Sequence, residues 1–193
     1  PYFPKKFIWI FSRSYISGEK IEDAMRVSKE LNSRNIKVTF DILGEFIKDL
    51  DEAETNKKEY LNLIDVAIAN GIDGNFSVKP TSFGLLIDKE VCYSHIREIV
   101  AKAASYKNFI RIDMEDSPCT TLEIELFCRL KVEFPSNVGL VVQAYLKRTL
   151  DDITGLSDLN SEAAPLSFRL CKGCLLYTSD AADDILCVAL RGR

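Results

Sequence analysis

Five apolar runs in this chain each end in, or beside, a side chain that does not belong in oil. Asp41 closes Ile36-Lys37-Val38-Thr39-Phe40, Lys79 closes Phe76-Ser77-Val78, and Asp113 closes Phe109-Ile110-Arg111-Ile112. Gln143 closes Val138-Gly139-Leu140-Val141-Val142, and Arg169 and Lys172 lie at the end of Leu166-Ser167-Phe168-Arg169-Leu170-Cys171. Burying such groups is costly unless they are paired or bind a ligand. Their recurrence at one end of successive strands therefore marks a candidate site of two carboxylates, an amide and several cations. Covalent and metal chemistry have little support. His95 is the only histidine, and Cys171-Lys172-Gly173-Cys174 is a single CxxC without the second pair or nearby histidines of a zinc site. No metal is expected.

The elements that must position these groups alternate in period. Strand-like runs are followed by longer segments of helical spacing, the pattern of a parallel sheet built from βα units. A first strand is expected around Ser14-Tyr15-Ile16-Ser17, followed by a helix with Ile21, Ala24, Met25, Ser28 and Leu31 on one face. After the strand Ile36–Asp41, a helix turns Tyr60, Leu61, Ile64, Ala67 and Ile68 inward, with Gly71 suited to its C′ position. After Phe76–Lys79 comes a helix carrying Val91, Ile96, Ile99, Val100 and Ala103. After Phe109–Asp113 a helix runs to Phe134, where Pro135 forbids continuation.

Six βα units with strands buried on both faces suit a barrel or a doubly wound sheet. The shared position of the polar groups favours the barrel, in which all carboxyl ends of the strands face one mouth. The fold class expected is α/β, a parallel (β/α)8-type barrel cut to about six units. The 193 residues fall short of the roughly 250 of a complete barrel of this kind.

Composition narrows the partners. The chain is 47% hydrophobic and 28% charged, with a formal net charge of −4 and no long basic run, so nucleic acid is not expected. No apolar stretch approaches the ~20 residues that span a bilayer. Phe7-Ile8-Trp9-Ile10-Phe11 is read as a short buried helix opened by Pro4. The scattered cysteines point to a reducing compartment.

Taken in order and spacing, Asp41-Ile42-Leu43-Gly44-Glu45, Ser77-Val78-Lys79-Pro80-Thr81, Arg111-Ile112-Asp113-Met114-Glu115-Asp116, Val142-Gln143-Ala144-Tyr145 and Arg169-Leu170-Cys171-Lys172-Gly173 resemble proline dehydrogenase. The resemblance implies a distorted β/α barrel that holds FAD over its mouth and oxidises L-proline to Δ1-pyrroline-5-carboxylate. It also implies delivery of the electrons to a membrane quinone by a cytoplasmic protein, peripheral at the inner membrane. By matching motifs, Asp113 and Arg169 fall on catalytic positions, with Arg169 toward flavin N5. Lys79 and Glu45 fall on substrate-binding positions, and Met114, Gln143, Lys172, Gly173 and Cys174 on flavin-contacting ones.

Each residue also has a plainer reading. Asp113 could pair with Arg111, Lys79 could be a solvated loop residue, and Glu45 could be a helix-start charge favoured by the macrodipole. Asp41 could hold a neighbouring loop, Gln143 could bridge core segments, and Met114 could fill a gap in the wall. A Schiff-base lysine at Lys79, in another β/α-barrel enzyme, is a further alternative. Residues 1–174 are expected to form the partial barrel and 175–193, which break the βα pattern, a non-native tail. The family's last two βα units, and the arginine pair they supply, find no match, so these residues alone are expected to be inactive.

Overall fold

The structure is a computed structural model that describes residues 20–173. The strand expected near Ser14–Ser17, the segment Phe7–Phe11, Cys174 and residues 175–193 lie outside the described residues.

Helix α1 (Ile21–Ser33) buries Met25 and Ser28 and leads into β1 (Val38–Phe40). Helix α2 (Leu50–Ala69) starts where Asp49 accepts a hydrogen bond from the Glu52 amide at 2.9 Å, satisfying a donor that the first turn cannot. It ends at Asn70, and Gly71 follows at φ +66, a left-handed conformation that glycine adopts without a Cβ penalty. Strand β2 (Gly74–Val78) runs into a 3-10 turn, Pro80–Phe83. Helix α3 (Lys89–Ser105) is capped by Asp88 and followed by β3 (Ile110–Ile112). Helix α4 (Thr120–Glu133) stops short of Pro135, and β4 (Val138–Gln143) follows. Helix α5 (Thr149–Gly155) is too short to show a periodic stripe in the sequence; a 3-10 turn at Ser157–Leu159 then precedes β5 (Phe168–Cys171).

The five described strands are all parallel and lie in the order β1-β2-β3-β4-β5. No neighbour is out of sequence, so these strands contain no topological switch point, and the doubly wound alternative falls. Register sorts the side chains into two layers. Phe40, Phe76, Ile110 and Val138 align across one row, and Val78, Ile112, Leu140 and Phe168 across the next, forming the wall under the helices. The alternate positions read Asn75, Ser77, Arg111, Gly139, Val141 and Arg169, a polar layer on the opposite face.

That polar face is concave. Strand neighbours lie ~4.8 Å apart, so β5 and β2 would be ~14 Å apart in a flat sheet. Yet the Arg169 guanidinium of β5 donates to Ser77 Oγ of β2 at 3.1 Å, which requires the sheet to curl toward this side. Inside the curl, Arg111 donates to Ser167 O and Oγ at 3.1 and 3.2 Å and stacks on Phe109. Gly139 makes this possible, because a Cβ there would meet Arg111 Nη1 at 2.6 Å. At the other end of the strands, the buried Lys131 ammonium donates to the carbonyls of Pro135, Ala164 and Pro165, fastening α4 to the segment before β5.

Strand β4 spans the residues expected. Strands β1 and β3 are shorter than expected at both ends, although the Asp113 amide still donates to Val78 O at 2.9 Å.

Candidate active site at the carboxyl ends of the strands

Two ion pairs converge on the concave face. Asp113, just past β3, accepts from the guanidinium of Arg169 on β5 and from Ser77 Oγ on β2. Ser77 in turn accepts from Arg169, so the three groups close a ring across the mouth. Burial pushes the Asp113 carboxyl up, against the pull of the Ser77 hydrogen bond and the Arg169 charge. Arg169 Nε is buried without a hydrogen-bond partner, so part of the fork remains unused.

In the second pair, the Lys79 ammonium donates to Asp41, and their side chains are 16% and 31% exposed. Tyr60 of α2 braces them, its hydroxyl bonding Asp41 at 3.3 Å and donating to Ser77 O at 2.7 Å. Burial alone would pull the Lys79 ammonium down; Asp41, with Asp113 and Glu45 behind it, outweighs burial and leaves Lys79 raised. A Schiff-base lysine needs the opposite shift. Lys79 is thus held in an ion pair with Asp41 rather than free in a loop.

Gln143 is buried, its amide nitrogen donating to Met114 O at 3.0 Å and Glu115 O at 3.3 Å. The bridging role is therefore real, yet Gln143 Oε1 is left buried and unpartnered. Met114 packs its side chain in the core and meets this network through its carbonyl. Glu45 is exposed and precedes the α2 cap Asp49, so it is not a helix-start charge. Lys172 is exposed, and its carbonyl accepts from the Tyr145 amide at 3.0 Å. Gly173 sits at φ +138 against the Tyr145 ring, where a Cβ would come within 1.8 Å of Cδ1. Arg111 bonds Ser167, not Asp113.

A third group, not expected from the sequence, is built on Glu115 and Glu123. Glu115, at the turn after β3, accepts from Thr81 N at 2.9 Å and Thr81 Oγ1 at 2.5 Å. Glu123, fully buried on α4, accepts from the Glu115 amide at 3.1 Å. Burial pushes Glu123 up to about 8, helped by the nearby Glu115 and Asp113 charges; Glu115 is also raised by burial. The signal in the sequence was a carboxylate within the apolar stripe Glu123, Leu126, Phe127, Leu130.

A carboxyl whose folded value exceeds its unfolded one stabilises the fold fully below about 4.5 and loses that contribution as pH rises through about 8. One such site contributes a slope of at most ~1.4 kcal/mol per pH unit. Glu123→Gln keeps the acceptor oxygen and cannot ionise. Its melting temperature should therefore fall less than that of the parent protein over this range. Thermal scans across the range check this, and parallel curves would refute it.

Residues 24–179 match the family described as Proline dehydrogenase. Proline dehydrogenase 1 of Bacillus subtilis subsp. natto is 33% identical over 171 residues, covering 89% of this chain and 54% of that protein. Proline dehydrogenase of Deinococcus radiodurans is 33% identical over 179 residues, covering 91% of this chain and 56% of its own. The chain thus spans about half the length of these curated relatives. Among solved structures, proline utilization A (PutA) from Bdellovibrio bacteriovorus inactivated by N-propargylglycine superposes with a TM-score of 0.78 at 24% identity. That match covers 88% of this chain and 21% of that one, and supports the barrel fold.

Proposed function

The chain belongs to the proline dehydrogenase family, and from that premise we propose that the protein carrying it oxidises L-proline to Δ1-pyrroline-5-carboxylate with FAD as hydride acceptor. The observation that carries the reading is the ring of Arg169, Asp113 and Ser77 beside the Lys79–Asp41 pair, on one concave face.

The residues present fit a flavin. Gln143 Oε1 and Arg169 Nε are buried polar atoms without partners, one an acceptor and one a donor. Gly173 lies against the Tyr145 ring, which fills the space a Cβ would need. Gln143, Arg169, Met114 and Gly173, with Lys172 and Cys174 by resemblance, would hold the group, which supplies the hydride acceptor when bound.

The remaining work falls to the chain's own side chains. Lys79 presents a point charge to the substrate carboxylate, and Asp41, itself bonded by Tyr60, fixes its ammonium. Loss of hydride builds positive charge on the substrate and negative charge beside Arg169; a preorganised guanidinium there lowers the barrier. Asp113 and Ser77 hold that guanidinium in place and put a carboxylate near the growing positive charge. A membrane quinone is the proposed final acceptor. Among the described residues no helix is long and apolar enough to cross a membrane.

The test is spectroscopic. Full-length protein should purify with, or take up, FAD, and anaerobic L-proline should bleach the flavin band. A soluble quinone should restore it. Failure of L-proline to bleach bound FAD would overturn the proposal.

A further inference from the structure

Glu45 is exposed, yet the backbone on both sides of it is held. Gly44 O accepts from Ser82 Oγ at 2.5 Å, and the Phe46 amide donates to Thr81 Oγ1 at 3.1 Å. Phe46 has φ +52, a conformation that a bulky side chain adopts only where its surroundings impose it. Thr81 and Ser82 are themselves immobilised. Thr81 gives its amide and hydroxyl protons to Glu115, and Ser82 O accepts from Asn56 of α2 at 2.8 Å. Both belong to the 3-10 turn that begins directly after Lys79.

We propose that Thr81 and Ser82 are positioning residues, a two-hydroxyl clamp that sets Glu45 at a fixed height beside Lys79 and so tunes the binding of a zwitterionic amino acid. Three loops, after β1, β2 and β3, meet at one hydroxyl. Its hydrogen serves the third loop through Glu115, and its lone pair serves the first through Phe46. A valine would keep the shape and the amide bond to Glu115 but lose both hydroxyl connections; a serine would keep them all. The Glu45 charge is close enough to act on both Lys79 and Glu115. Misplacing it should weaken ligand binding while leaving the Asp113–Arg169 ring untouched.

This inference rests on the proposed function for its substrate, so the experiment has an arm independent of it. In full-length protein, Thr81→Val should speed amide hydrogen exchange in residues 42–48 while leaving β4 unchanged, and Thr81→Ser should not. With L-proline, Thr81→Val should raise KM on the order of tenfold with kcat within about twofold, Thr81→Ser should restore KM, and Ser82→Ala should move it the same way by less. If the clamp acts through Glu45, the two changes should be strongly non-additive. Thr81→Val should then add less than about twofold in a Glu45→Ala background. Unchanged exchange at 42–48, unchanged KM in both Thr81→Val and Ser82→Ala, or the full tenfold effect without Glu45 would each overturn the clamp. If Thr81→Val fails to fold, Ser82→Ala carries the same exchange and KM tests. A wild-type protein that does not oxidise proline would sink the functional proposal, while the exchange arm would still judge the clamp.

Discussion

Arg169→Met in the full-length protein should slow flavin reduction by proline on the order of 100-fold, the usual cost of losing one preorganised charge where charge develops. Methionine keeps the bulk and removes the fork, so the loss reports charge and hydrogen bonding rather than packing. Substrate affinity should change much less, because Lys79 and Asp41 form a separate pair. A second signature follows from the ring. Burial already raises Asp113, and Arg169 is one of the groups that opposes that rise. Without Arg169 the carboxyl should hold its proton to higher pH, and the acid limb of kcat/KM should move in the alkaline direction. Stopped-flow reduction and a pH profile measure the two effects. A wild-type reduction rate in Arg169→Met would remove Arg169 from the mechanism.

The second large effect is at Lys79. Replacing it with alanine removes a charge-assisted hydrogen bond worth ~1.5–3 kcal/mol, so KM for proline should rise about 10- to 100-fold. If the lysine binds ground state and transition state alike, kcat should change far less. The electrostatics sharpen this expectation. Alanine strips Asp41 of its cation and leaves a carboxylate facing an incoming carboxylate. Asp41→Asn in the Lys79→Ala background should therefore recover part of the lost affinity, although each change alone harms binding. Steady-state kinetics on the four proteins decide it, and a fall in kcat with constant KM would show that Lys79 does something other than anchor substrate. Borohydride in the presence of substrate should leave Lys79 unmodified, since its ammonium is stabilised rather than depressed.

Strands and their polar ends were legible because the alternation of a buried parallel strand is local. Val138–Gln143 reads as a strand from its β-branched and apolar run, and it is one. The convergence of Lys79, Asp113, Gln143 and Arg169 was legible from topology alone, since parallel strands share an end. The pairing was not. Arg111 and Asp113 are sequence neighbours on one strand face, yet Arg169 is the partner of Asp113, from a residue 56 positions away. Only the curl of the sheet brings β5 over β3. Glu123 was missed for another reason: a carboxylate on a helix usually faces water, and only the acceptance of the Glu115 amide explains its burial. Tyr60 read as an inward residue, but its second function depends on where its hydroxyl ends, between Asp41 and Ser77.

The two-layer alternation of the sheet also bears on how the chain finds its fold. Side chains on a strand change face at every residue, so sliding β3 by one position would exchange its layers. Ile112 would enter the polar interior, Arg111 would go under the helices, and Asp113 would lose both Ser77 and Arg169. A charge stranded in the apolar wall is far more expensive than a methyl group facing a polar one. The groups at the mouth therefore disfavour the off-by-one alignment of β3 as well as lining the candidate site.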